Sequence, residues 1–226
     1  EILMLRDAST IETAPDWAIP YLGDLLGVRS LRPGGPGNLR GYVANTLAYR
    51  RRKGTSAALE QLARDVTALP ARVVEFFQLL ATTANDDHVR LGYPGTLDVR
   101  DAARLQQLGG PFETAPYTVD VRRPGNGGRY NLPHVSIFLW RLSAFAVVRG
   151  DAFRVGAGQF TFDPLGLDAP LFNQPQTEAE ITGLATPRNV PDPLRRLALH
   201  AELEALRAGE GKLVWFGDQP VLRVFE

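Results

Sequence analysis

Three histidines, at positions 88, 134 and 200, are the only imidazoles the chain offers for proton transfer or metal ligation. His88 follows Asp86 and Asp87, a run of oxygen and nitrogen donors. Neighbours along one chain rarely converge on one ion, however, and no second ligand cluster stands at helical spacing, so this run reads as a polar loop. His200 precedes Glu204 by one helical turn and reads as half of a surface pair; His134, beside Pro133 at a predicted strand start, reads as packing. Ser136 and Ser143 lack the glycine-flanked elbow that would expose a nucleophile. The carboxylate pairs Asp98 with Asp101 and Glu202 with Glu204 are ordinary on a helix surface. No catalytic, cofactor-binding or metal-ligating residue is assigned, and the chain is not expected to be an enzyme.

Phosphate is the other ligand the residue types raise. Arg50, Arg51, Arg52 and Lys53 form a basic run, but a nucleic-acid binder should carry a wider positive field with stacking aromatics. Helix termination with an ion-pair contact to a neighbouring subunit fits the run better. Gly34-Gly35-Pro36-Gly37-Asn38 shares only its glycines with a phosphate-cradling loop: the following Lys-Ser or Lys-Thr is missing and Pro36 removes a donor. Lys plus Arg and Asp plus Glu number 25 each, so no global field steers the protein to nucleic acid or an anionic membrane.

The elements that position the basic run are legible locally. Cations at Arg50 to Lys53 face the unpaired carbonyls of a helix end, Gly54 supplies a left-handed stop, and Thr55 caps a new helix. Leu59, Leu62, Ala63, Val66 and Leu69 follow at helical spacing as one apolar stripe. Residues 39 to 69 are therefore expected to form helix, tight turn, helix.

Tyr49-Arg50-Arg51-Arg52-Lys53-Gly54-Thr55, followed by Ala58-Leu59-Glu60-Gln61-Leu62-Ala63, resembles the phage tail protein I family, whose members often carry an Arg-Arg-Lys-Gly-Thr turn between two helices. The flanking segments 17–27 and 71–83, and the later segments 130–141 and 160–173, are similar to the larger relatives in extracellular contractile injection systems. The resemblance implies a baseplate wedge subunit of a phage-tail-like particle. It implies pairing with two copies of a second wedge protein, contacts to neighbouring wedges, and contacts to sheath-initiator, spike and hub proteins. It supplies no catalytic residue. Trp17, Tyr21, Arg51, Arg52, Lys53, Gly54 and Thr55 are the expected assembly interface, with Trp17 and Tyr21 open between interface and core. Trp140 and Trp215 lie in predicted strands and are expected in the core.

A chain of 226 residues can bury roughly 70% of its unfolded surface. Its 17 prolines and 22 glycines predict many short elements whose order depends partly on neighbours. The absence of cysteine excludes disulfides and thiolate metal sites and suits cytoplasmic assembly, with later release or anchoring of the particle. No apolar stretch approaches the roughly 20 residues that cross a bilayer, and the first residues lack the zones of a signal peptide. A start at Glu1 instead of Met predicts an ordered piece of a longer polypeptide.

Further along, Asp16 or Pro15 opens a short helix through Trp17 and Leu22, and residues 33–38 form a loop. Pro70 ends the second helix of the hairpin, and residues 71–81 read as a strand covered on both faces. Asp98 caps a short helix with Leu105 and Leu108 inward, ending at Gly109 and Gly110. Tyr117, Val119 and Val121 alternate as a half-buried strand; Pro124 to Gly128 make a turn. His134–Arg149 and Ala152–Phe162 read as strands meeting near Gly150-Asp151. Residues 163–192 read as a Pro-rich arm that wraps partners, with a helical turn at Thr177 and Glu180. Asp192 and Pro193 open a helix to Ala208 stopped at Gly209, and Leu213–Phe216 with Val221–Phe225 form a hairpin. The sum is an α+β chain: a helical and mixed wedge domain (1–112), a small antiparallel β domain (113–165), and an arm, helix and C-terminal hairpin (166–226). The competing expectation is a carbohydrate-binding or carbohydrate-acting domain of a phage-like particle. It draws on the β-rich second half and its aromatics, and requires a cleft with an exposed aromatic and two facing carboxylates.

Overall fold

The computed structural model describes residues 2–29, 38–82, 95–142, 148–163, 165–167, 170–176 and 183–209. They form an α+β protein with small antiparallel sheets. The chain divides into two compact units. One comprises Glu1–Leu97, Ala115–Arg141 and Glu178–Ala185; the other comprises Asp98–Thr114, Leu142–Thr177 and Thr186–Glu226.

The first unit begins with α1 (Ile2–Ser9) and α2 (Ile19–Leu25), the latter entered through a 3-10 turn at Asp16–Ala18. The hairpin follows as α3 (Leu39–Arg51) and α4 (Ser56–Thr67). Asn38 starts α3 by accepting a hydrogen bond from the Gly41 N–H at 2.9 Å, and Thr55 starts α4 by accepting one from the Ala58 N–H at 3.3 Å. Between them Gly54 has φ of +88°, a conformation that costs a side-chain-bearing residue about 1 kcal/mol or more. Ile19, Val28 and Val43 form a small core against which Leu22, Leu26, Leu39 and Tyr42 pack.

α4 departs from the expected apolar stripe. Its buried residues are Ala58, Glu60 and Asp65, while Leu59 is exposed and Leu62, Ala63 and Val66 are only half-buried. The helix ends with Ala68 in the left-handed conformation, two residues before Pro70. Strand β1 (Ala71–Glu75) follows and stops where Phe76–Leu79 turn into a 3-10 helix, so the strand expected through residue 81 is five residues long. β1 pairs antiparallel with β2 (Val135–Leu139), Val73 lying opposite Ile137. β2 therefore joins the N-terminal helical unit and does not meet the 152–162 segment. The alternation from Tyr117 to Arg122 is not a strand. It makes one bridge, Leu80 to Tyr117, and leaves Val119 and Val121 exposed.

In the second unit, Phe153–Gly156 (β3) and Gln159–Thr161 (β4) form a tight hairpin instead of one long strand. Asp101, not Asp98, caps the short helix α5 (Ala102–Leu105), accepting from the Arg104 N–H at 3.2 Å; Leu105 and Leu108 stay partly exposed instead of turning into a core. Helix α6 (Arg196–Arg207) has Arg195, not Asp192, at its N-cap position. The local Asp-Pro start signal is overridden because Asp192 is buried, its N–H donates to Asn173 Oδ1 at 2.9 Å, and Pro193 bridges Phe172. Burial raises the Asp192 pKa above the usual carboxylate range, with Arg195 opposing the shift. Gly209, with φ of +71°, stops α6 as expected. The loop at 33–37, the helical turn at Thr177 and Glu180, and the C-terminal hairpin lie outside the described residues.

Candidate assembly surface

The α2 helix turns Ile19 and Gly23 into the core and leaves Tyr21 and Leu25 on the opposite side, at 68% and 83% exposure, next to Trp17 of the preceding 3-10 turn at 69%. A spacing of four residues stacks them in one row, and the Trp17 and Tyr21 rings meet edge to face at 6.5 Å. The approach to this row is held by Arg40. Its guanidinium donates to the Ala14 carbonyl at 2.6 Å and to Asp16 Oδ1 at 2.9 Å, besides the Ile11 carbonyl. Trp17 and Tyr21 thus stand on the surface. Leu25 completes the row; its position one turn after Tyr21 was the available signal.

The basic turn separates into two roles. Arg50 is used within the unit, donating to the Gly27 carbonyl at the end of α2 at 3.1 Å. The Arg52 carbonyl accepts from the Thr55 N–H and hydroxyl, which closes the turn at Gly54. Arg51 and Lys53 are exposed, Arg52 is half-exposed, and no carboxylate pairs with these three side chains among the described residues. Their charge is therefore available to an acidic surface.

Behind the turn, one buried carboxylate of α4, Asp65, ties the two helices of the hairpin together, and another, Glu60, ties the hairpin to the rest of the unit. Asp65 accepts from Asn45 at 2.9 Å, from Gln61 at 3.2 Å and from the Tyr49 hydroxyl. Burial first, and the hydrogen bond to Asp65 second, push the Tyr49 phenol well above its ordinary pKa. Gly41 lets α3 approach: a Cβ there would lie 3.2 Å from Asp65 Oδ1 and 2.9 Å from Asn38 Nδ2. Glu60, with no exposed surface, accepts from Arg64 at 2.7 Å and from the Val73 N–H at 2.8 Å. It also accepts from the Ala185 N–H at 2.6 Å, while Arg72 approaches to 3.9 Å. Ala185, inside the predicted arm, is thereby bound to this chain's own first unit. Sequence reasoning missed both carboxylates as buried residues.

Chemistry elsewhere in the described residues is sparse. A cleft of about 470 Å³ is lined by Tyr117, Asp120, Arg122, Arg129 and Tyr130 among others. The two tyrosine rings stack on each other at 3.7 Å. Hydrogen bonds from the Arg122 side chain and backbone N–H hold the Asp120 carboxyl down to about 2, so it carries no proton to donate near neutral pH. The cleft offers one carboxylate where a glycosidase pair needs two. His134 Nδ1 lies 3.1 Å from the Arg129 carbonyl, Glu204 pairs with Arg207 and not His200, and Asp98 and Asp101 each bind a local arginine. Trp140 is half-buried; Trp215, Ser143 and the Asp86-Asp87-His88 run lie outside the described residues. Among the described residues no three metal-ligating side chains converge, and no helix is long and apolar enough to cross a membrane. No family model, curated protein or solved structure matches the chain.

Proposed function

We propose that this chain is a structural wedge subunit of a contractile injection baseplate, one that pairs with two copies of a second wedge protein and links wedges around the central spike. It assembles in the cytoplasm into a phage-tail-like particle, and contraction is transmitted through subunit contacts that have more than one arrangement. The observation that carries the reading is the presence, in one unit, of two exposed features of different chemistry. One is the capped turn presenting Arg51, Arg52 and Lys53; the other is the apolar row Trp17, Tyr21 and Leu25. An apolar anchor with a separate charged element is how a binding surface combines affinity with orientation. The resemblance of the turn to tail protein I supplies the kind of assembly.

Coexpression with the neighbouring baseplate proteins, followed by size-exclusion chromatography with light scattering, tests it. A stoichiometric complex is expected with the native chain. Trp17→Ala should weaken it at least tenfold, and the pair Arg51→Glu with Arg52→Glu should slow its formation and reverse its salt dependence. A folded chain indifferent to those partners, or a complex unmoved by all three changes, would sink the proposal.

A further inference from the structure

The alternation of hydrogen bonding along β2 can be read from its ends. The Phe76 N–H donates to the His134 carbonyl and the Trp140 N–H to the Pro70 carbonyl, each at 3.1 Å. In an antiparallel ladder the even-numbered residues of β2 therefore face β1, and Val135, Ile137 and Leu139 point their N–H and C=O groups away from it. No hydrogen bond reaches those outward groups among the described residues. The same three residues expose their side chains, at 46%, 48% and 39%. They share a face with Ala71 and Val73, which α4 covers. The strand has no lysine, no proline and no bulge, the usual devices that blunt an edge.

We infer that β2 is a pairing edge for a second copy of this chain, forming an antiparallel β2–β2 contact about a twofold axis at Ile137. The edge is self-complementary in a way that favours this occupant. Ile137 is the middle residue of the strand, so Ile137 would face its own counterpart and Val135 would face Leu139 of the other copy. All three are outward-bonding positions, so up to about six hydrogen bonds form in register. The apolar side chains of both copies fall on one face and continue the layer under α4. The contact joins strands spanning only about 17 Å and buries less than the roughly 1,200 Å² of a standard interface, so the dimer is weak and concentration-dependent. The inference does not depend on the wedge reading.

Light scattering across a dilution series from about 5 to 500 µM reads it directly. The apparent mass of the native chain should rise toward twice that of the monomer. Ile137→Pro removes an outward donor without touching a bond to β1, and should hold the chain at monomer mass throughout. Ile137→Lys, with circular dichroism to confirm folding, should do the same if the proline variant folds poorly. Because the chain has no cysteine, Ile137→Cys places one thiol at the axis; it should cross-link under mild oxidation at least tenfold faster than Leu25→Cys, which is more exposed. A monomer at every concentration, a dimer that survives both Ile137 substitutions, or faster cross-linking at position 25 would overturn the inference. A partner strand from another protein, or from this chain itself, would appear as the first of these outcomes.

Discussion

β1 and β2 have the same length and pair residue for residue, yet their outer edges are finished in opposite ways. On the β1 side the outward N–H of Val73 is taken by the Glu60 carboxylate, and α4 covers Ala71 and Val73. On the β2 side Val135, Ile137 and Leu139 leave their side chains partly exposed, and no hydrogen bond reaches their outward backbone groups among the described residues. A two-stranded sheet is marginal alone, so the contacts along the covered β1 edge contribute much of its stability. The difference teaches that closure of an edge here is polar: a buried carboxylate acts as the acceptor another strand would have provided.

The largest test of that contrast is Glu60→Ala. It removes the acceptor for Arg64, the Val73 N–H and the Ala185 N–H together, leaving buried donors without compensation. About 3–5 kcal/mol of destabilisation is expected, read as a shift of the urea midpoint. Glu60→Gln should recover only part of it, because one amide oxygen replaces two acceptor oxygens. A loss under about 1 kcal/mol would mean that packing, not the carboxylate, closes this edge.

Asp65 tests whether the second buried carboxylate of α4 works similarly between helices. Tyr49→Phe deletes one of its donors and should cost about 1.5–3 kcal/mol near neutral pH. The raised phenol pKa adds a pH signature. A group whose folded pKa exceeds its unfolded value contributes stability in full below the unfolded value, here about 10, and loses it as pH rises towards the folded one. Unfolding free energies of the native chain from urea titrations should fall above about pH 10 with a slope of at most about 1.4 kcal/mol per pH unit beyond that of Tyr49→Phe. Parallel pH profiles for the two proteins would refute the Tyr49–Asp65 linkage.

The stop at Gly54 and the cap at Thr55 were legible because each is satisfied by residues within a turn of itself; the cap at Asn38, which had read only as the end of a glycine-rich loop, was not. Nor were Glu60 and Asp65. On a helical wheel they look like solvent-facing charges, and what buries Glu60 is a strand 13 residues away and an arm 125 residues away. The β1–β2 pairing was missed for the same reason: the apolar-rich stretch predicted as a strand over His134–Arg149 does not reveal which distant strand it meets, and the nearer segment 152–162 pairs with itself. At Asp192-Pro193 a good local signal lost to long-range contacts with Phe172 and Asn173. Trp17 and Tyr21 illustrate the middle case. Their spacing placed them on one face, but only the inward turn of Ile19 and Gly23 decided that this face is the outer one.

The smallest expected effect gives the sharpest comparison, since Val73 and Ile137 are cross-strand partners on the same face and can receive the same residue. Val73 is 1% exposed, and Val73→Thr puts a hydroxyl under α4 in place of a methyl group at nearly unchanged volume. Such a group without a ready partner costs about 1–3 kcal/mol. Ile137→Thr keeps a β-branched side chain suited to a strand and places its hydroxyl in water, so dilute protein should lose no more than about 0.5 kcal/mol. Chemical unfolding at a concentration where the chain is monomeric separates the two. Equal losses would mean that the β2 face is covered in solution, and the division between a sealed edge and an open one would fail. Unequal losses, with the Ile137 variant changed only at high concentration, would locate its contribution in association instead of folding.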